Sequence, residues 1–174
     1  MADFEIAIVK TLTREGGSKY TETPGDTGGA TRYGISQRSY PQLNIKNLIE
    51  ADAKAIYKRD YWDRVLGDSI NSQGMAESIF DFAVNAGVST SVKIAQKTAN
   101  RVLYIKLDVD GVIGGQTLAA INHCGEFTNS RELFLSVFAL EKIQRYADIC
   151  NKNREQSKFL LGWVNRTLGE LWTR

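Results

Sequence analysis

Two prolines, two cysteines and one histidine in 174 residues set the first limits on this chain. Proline removes a backbone donor and breaks helix interiors, so its scarcity leaves long stretches free to be helical. Cys124 and Cys150 are too few for a disulfide framework and read as two reduced thiols. A zinc hydrolase needs about three protein ligands drawn largely from histidine and cysteine, and His123, Cys124 and the distant Cys150 are all the chain offers. Adjacent helical residues point about 100° apart, so His123 and Cys124 converge neither on a metal nor into a thiol and base pair. No GxSxG elbow accompanies the lone histidine, which removes the serine hydrolase reading. Neither a metal nor a cofactor is expected. No apolar run of about 18 residues occurs, so no transmembrane helix is expected. The segment MADFEIAIVK lacks the basic start and continuous apolar core of a secretory signal, which predicts synthesis in the cytoplasm. A net charge of +2 is too mild to imply nucleic acid.

What is present is apolar periodicity. Phe4, Ile8 and Leu12 fall at steps of four, with Asp3 as N-cap and Gly16-Gly17 as C-cap of a first helix. Further helices are expected over 49–65, with Trp62 as a large anchor, and over 75–86, 91–105, 117–123, 130–151 and 156–171. Residues 67–74 read as a loop. The fold class is mainly α, with a short β-hairpin or extended loop after the first helix, where ATRYGIS mixes apolar and polar residues. The turn at 87–91 is the expected boundary between a catalytic lobe, 1–90, and a C-terminal helical lobe, 91–174. In DVDGVIGGQT, alignment to a calcium loop puts Lys106 at the first ligand position and Thr117 at the bidentate glutamate, so that reading fails. The stretch reads instead as a structural turn, with Thr117 capping the next helix.

Arg14 to Ser36, REGGSKYTETPGDTGGATRYGIS, concentrates three carboxylates and six glycines where the first helix stops. Unpaired carbonyls put partial negative charge beside Glu15, a setting suited to a proton donor. Glycines around it let a bulky substrate come close to the backbone. Asp26 and Thr31, returned by the turns at Pro24-Gly25 and Gly28-Gly29, add a second carboxylate and a hydroxyl. An acid on one side of a bond, and a group that positions water or stabilises an oxocarbenium ion on the other, is what glycoside hydrolysis requires. Tyr20 and Tyr33 are candidates to stack on sugar faces, beside the bare backbone of Gly29. Asp81 and Asn85, one turn apart on an apolar helix, are candidate substrate contacts or structural hydrogen-bonding residues.

EGG followed by PGDTGGATRYGIS resembles the signature of glycoside hydrolase family 108, lysozyme-like muramidases common among phage endolysins. IYKRDYW, FDFAVNAG, KIAQ, DGVIGGQT and GWVNR follow in the order expected for that family and its C-terminal predicted peptidoglycan-binding region. The chain departs from the pattern after EGG, where Ser18 stands in the usual aromatic position and Tyr20 follows two residues later. The resemblance implies a lysozyme-like helical fold. It assigns the catalytic acid to Glu15, and carries Asp26 and Thr31 over as second carboxylate and water-positioning hydroxyl. Peptidoglycan is then the partner, and the β-1,4 bond between N-acetylmuramic acid and N-acetylglucosamine the target. A phage-encoded chain made in the host cytoplasm without a signal would reach the wall by holin-dependent release. The competing expectation is a non-catalytic wall-binding or secretion-activating protein on the same fold.

Overall fold

The computed structural model describes residues 1–22 and 29–172. Asp26 lies outside the described residues. Seven α-helices are described: α1 (Phe4–Arg14), α2 (Glu50–Tyr57), α3 (Gln73–Ala86), α4 (Val88–Leu103), α5 (Gly115–Gly125), α6 (Thr128–Lys152) and α7 (Ser157–Trp172). The hairpin between α1 and α2 pairs β1 (Thr31–Arg32) with β2 (Ile35–Ser36) in antiparallel register, Thr31 opposite Ser36. The architecture is mainly α and lysozyme-like, with a single short hairpin among the described residues.

Helix α3 organises the core because its apolar residues run nearly all round it, as expected of a buried helix. Phe80 faces one cluster, with Trp62 at 5.4 Å and Phe4 at 6.1 Å between ring centres, both edge to face. Phe82 faces another, 6.0 Å from Phe138 and 6.3 Å from Tyr146 on α6. Buried Lys142 places its ammonium 5.1 Å from the centre of the Phe82 ring, a cation–π contact that fits its burial. Ser91 Oγ donates to the Ile79 carbonyl at 2.6 Å and ties the start of α4 to α3.

The helix expected over 49–65 is interrupted. Helix α2 ends at Tyr57, a π-helical turn covers Lys58–Trp62, and a 3₁₀ turn covers Asp63–Val65. The widened turn lets the fully buried Trp62 indole lie against the bare backbone of Gly67, where a Cβ would collide with the ring. Nothing in a 3.6-residue period reveals such an insertion. The break between α3 and α4 is shorter than expected, with only Gly87, at φ +89°, between the two helices. Thr117 is not the cap of α5. That helix starts at Gly115 with Gly114 as its N-cap residue, and buried Thr117 accepts a hydrogen bond from Gln96 at 3.2 Å inside the first turn.

Candidate active site

Asp3 accepts the Glu5 N–H at 2.7 Å and starts α1, which ends where Gly16 and Gly17 take φ values of +89° and +59°. Few side chains tolerate that conformation, so the glycines reverse the chain there. Glu15 is the C-cap residue. The carbonyl of Gly17 then accepts the Tyr33 N–H at 3.1 Å, which docks the hairpin on the helix end. Tyr33 and Gly34 both have positive φ, +53° and +75°, the pattern of a type I′ hairpin turn.

Gly34 lies directly on the glutamate. A Cβ there would stand 2.8 Å from Glu15 Cβ, 3.1 Å from Glu15 Oε2 and 2.6 Å from the Tyr57 hydroxyl. That hydroxyl donates to the Tyr33 carbonyl at 2.9 Å. Burial, reinforced by the nearby Glu15 charge, pushes the Tyr57 phenol above its ordinary value and keeps it a donor. A cleft of about 80 Å³ opens here, lined by Glu15, Gly34, Ser36, Tyr40, Tyr57 and Tyr61 among others. At its edge the Tyr40 hydroxyl donates to Asp60 at 2.7 Å.

The other carboxylate oxygen of Glu15 is taken from across the chain. Arg166 on α7 donates through Nη2 to Glu15 Oε1 at 3.0 Å. The same guanidinium grips Asp81, Nε to Oδ2 at 3.1 Å and Nη2 to Oδ1 at 3.0 Å, and Arg14 Nη1 adds a third contact to Oδ1 at 3.0 Å. Burial disfavours the charged form of Asp81, but the hydrogen bonds and charge of Arg166, joined by Arg14 and Lys142, outweigh it. The carboxyl is held below its usual range. Burial opposes the charge of Arg166 too, and Asp81 and Glu15 more than compensate, leaving the guanidinium firmly protonated. On the far side of this cluster an open groove of about 410 Å³ is lined by Arg14, Asn165, Arg166 and Gly169.

Of the residues singled out in the sequence, Glu15, Tyr33 and Asp81 come together around this network. Thr31 is half-buried on β1, its backbone bonded in both directions to Thr21 at 2.8 and 2.9 Å. The Tyr20 hydroxyl donates to Glu22 at 2.6 Å. Gly29, at φ +69°, approaches Gln37. Tyr33 and Asp81 are buried, whereas Asn85 is exposed. Sequence reasoning did not single out Arg14, Tyr57 or Arg166 as site residues. Tyr57 and Arg166 do sit inside the IYKRDYW and GWVNR motifs, the available signal for them.

The Glycosyl hydrolase 108 family profile matches residues 8–87, and the Predicted Peptidoglycan domain profile matches residues 90–168. Residues 8–87 are of the glycosyl hydrolase 108 family, and a C-terminal predicted peptidoglycan domain follows at residues 90–168. It is a glycoside hydrolase acting on peptidoglycan. Among solved structures it is similar to Brucella abortus SagA, at 25% identity and a TM-score of 0.67, over 95% of this chain and 94% of that one. No curated protein matches the chain. The glycosyl hydrolase 108 match contains Glu15, the hairpin and Asp81, while Arg166 falls in the predicted peptidoglycan domain.

Proposed function

We propose that this family 108 chain is an N-acetylmuramidase that cuts the β-1,4 bond between N-acetylmuramic acid and N-acetylglucosamine and so lyses the bacterial wall. One observation carries the reading. Glu15 is fixed at a helix end with one oxygen bonded to Arg166 and the other on the bare side of Gly34, within a partly open cleft. Glu15 gives its proton to the glycosidic oxygen as the bond to the anomeric carbon breaks. Water adds at that carbon, and its proton passes to a second carboxylate, Asp26, with Thr31 holding the water. Tyr20, Gly29 and Asn85 are assigned to the glycan-facing wall, and buried Tyr33 and Asp81 to its support. Protein groups and water suffice for this chemistry. In its biological form the reading is a phage endolysin, antimicrobial toward its host and released to the wall through a holin.

The test is Glu15→Gln, which keeps shape and hydrogen bonding and loses the transferable proton. Loss of about 10²–10⁴-fold in lytic rate is expected, with cooperative melting retained. Mass spectrometry of fragments from the parent, after borohydride reduction, should show muramitol ends. Glucosaminitol ends would replace the bond assignment, and a folded Glu15→Gln chain that still lyses would remove Glu15 from the mechanism. A parent that binds walls and releases no fragments would make it the non-catalytic wall-binding or secretion-activating protein.

A further inference from the structure

We infer that the predicted peptidoglycan domain completes the catalytic centre, its Arg166 acting as the positioning residue for Glu15 and Asp81 as the anchor of Arg166. The inference rests on the reading of Glu15 as the acid. A guanidinium is a rigid planar fork, so the carboxylates it bonds are fixed at a set angle to one another. Here Nε and Nη2 grip Asp81 in a bidentate pair, and the remaining Nη2 hydrogen goes to Glu15 Oε1. Asp81 is itself fixed. It is 3% exposed, sits on the core helix α3 and is pinned a second time by Arg14 from the last turn of α1.

Helix α7 meanwhile lies along α6, with the Trp163 ring tilted against Tyr146 at 5.2 Å and Phe159 at 5.9 Å. Among the described residues, Arg166 makes the ion pairs that run from α7 to the first half of the chain. With Oε1 held by Arg166, Oε2 is the oxygen left beside Gly34, which lines the cleft with Glu15 and brings no side chain of its own. The region that the family profile marks for the wall therefore supplies part of the acid's geometry. A proton donor must be placed within hydrogen-bond reach of the leaving oxygen, and displacement of a reacting group by about 1 Å can cost roughly 100-fold in rate.

The test uses the full chain. Asp81→Asn combined with Arg166→Gln removes the clamp without leaving a buried carboxylate unpaired. The folded double variant should lose about ten- to hundredfold in kcat with KM changed by less than about twofold. Arg166→Lys keeps the charge and loses the fork, so it should recover the melting temperature more fully than kcat. A folded double variant with kcat within about twofold of the parent overturns the inference, and should that variant not fold, the same outcome in Arg166→Lys overturns it. Glu15→Gln measured alongside separates the two readings. If it stays active, the acid assignment fails; if it is dead beside a fully active double variant, only the clamp fails.

Discussion

Two buried polar hubs hold glycine turns in this protein, and they are built in opposite ways. At Gln96, 1% exposed on α4, every partner is neutral or solvated. The two hydrogens of its amide nitrogen are shared among Asp110 Oδ1 at 2.8 Å, the Val112 carbonyl at 3.1 Å and Thr117 Oγ1 at 3.2 Å. Its oxygen accepts the Gly111 N–H at 3.0 Å. The DGVIGGQT turn is thereby tied to α4 through one buried amide. At Glu15 the network is charged, drawn from α1, α3 and α7, and one carboxylate oxygen remains beside a cleft. A satisfied neutral hub orders a loop. A charged hub with an uncommitted oxygen stores chemistry, because charge that is placed but not used up remains available to a ligand.

The sharpest way to break the contrast is to change one side chain on each side of it in turn. Gly34→Ala places a Cβ on Glu15 and Tyr57 at a positive φ. It should cost about 1–3 kcal/mol in stability and, by moving the glutamate, about ten- to hundredfold in kcat, read by urea unfolding and turbidity clearing. Gln96→Ala orphans the Gly111 amide and should cost about 1–3 kcal/mol, while kcat per folded molecule stays near the parent value. A fall in kcat as large as that of Gly34→Ala would mean that the DGVIGGQT turn serves catalysis after all.

The smallest expected effect is in acid. Because Asp81 is held below its ordinary value of 3.8, its pairing contributes stability that is present above that pH. The contribution is lost as pH falls through the lower folded value. Melting temperatures followed from pH 5 downward should therefore drop more steeply for the parent than for Asp81→Asn. Parallel curves would show that Asp81 titrates alike in the folded and unfolded chain.

The helical architecture was legible because apolar spacing survives folding wherever a helix has one buried face, as at Phe4, Ile8 and Leu12. The π-turn at Lys58–Trp62 was not, since it answers to the shape of the Trp62 ring against Gly67 rather than to any period. The prominence of Glu15 came from its glycines, which record a chain reversal in the composition itself. Its partners left no such record. A hydrogen bond between α1 and α7 depends on how α6 and α3 stack the two halves, and no local pattern encodes that distance. Asp81 was visible as a polar residue on an apolar helix, and its dependence on two arginines from opposite ends of the chain was not.

The contact between residues 15 and 166 spans 151 positions. At synthesis rates of about 5–20 residues per second, the arginine leaves the ribosome roughly 8–30 s after the glutamate. Through that interval the nascent chain carries Glu15 without the guanidinium that pairs with it. Assembly of this ion-pair network is consequently a late event of biosynthesis, and ribosome-bound fragments hold it unfinished.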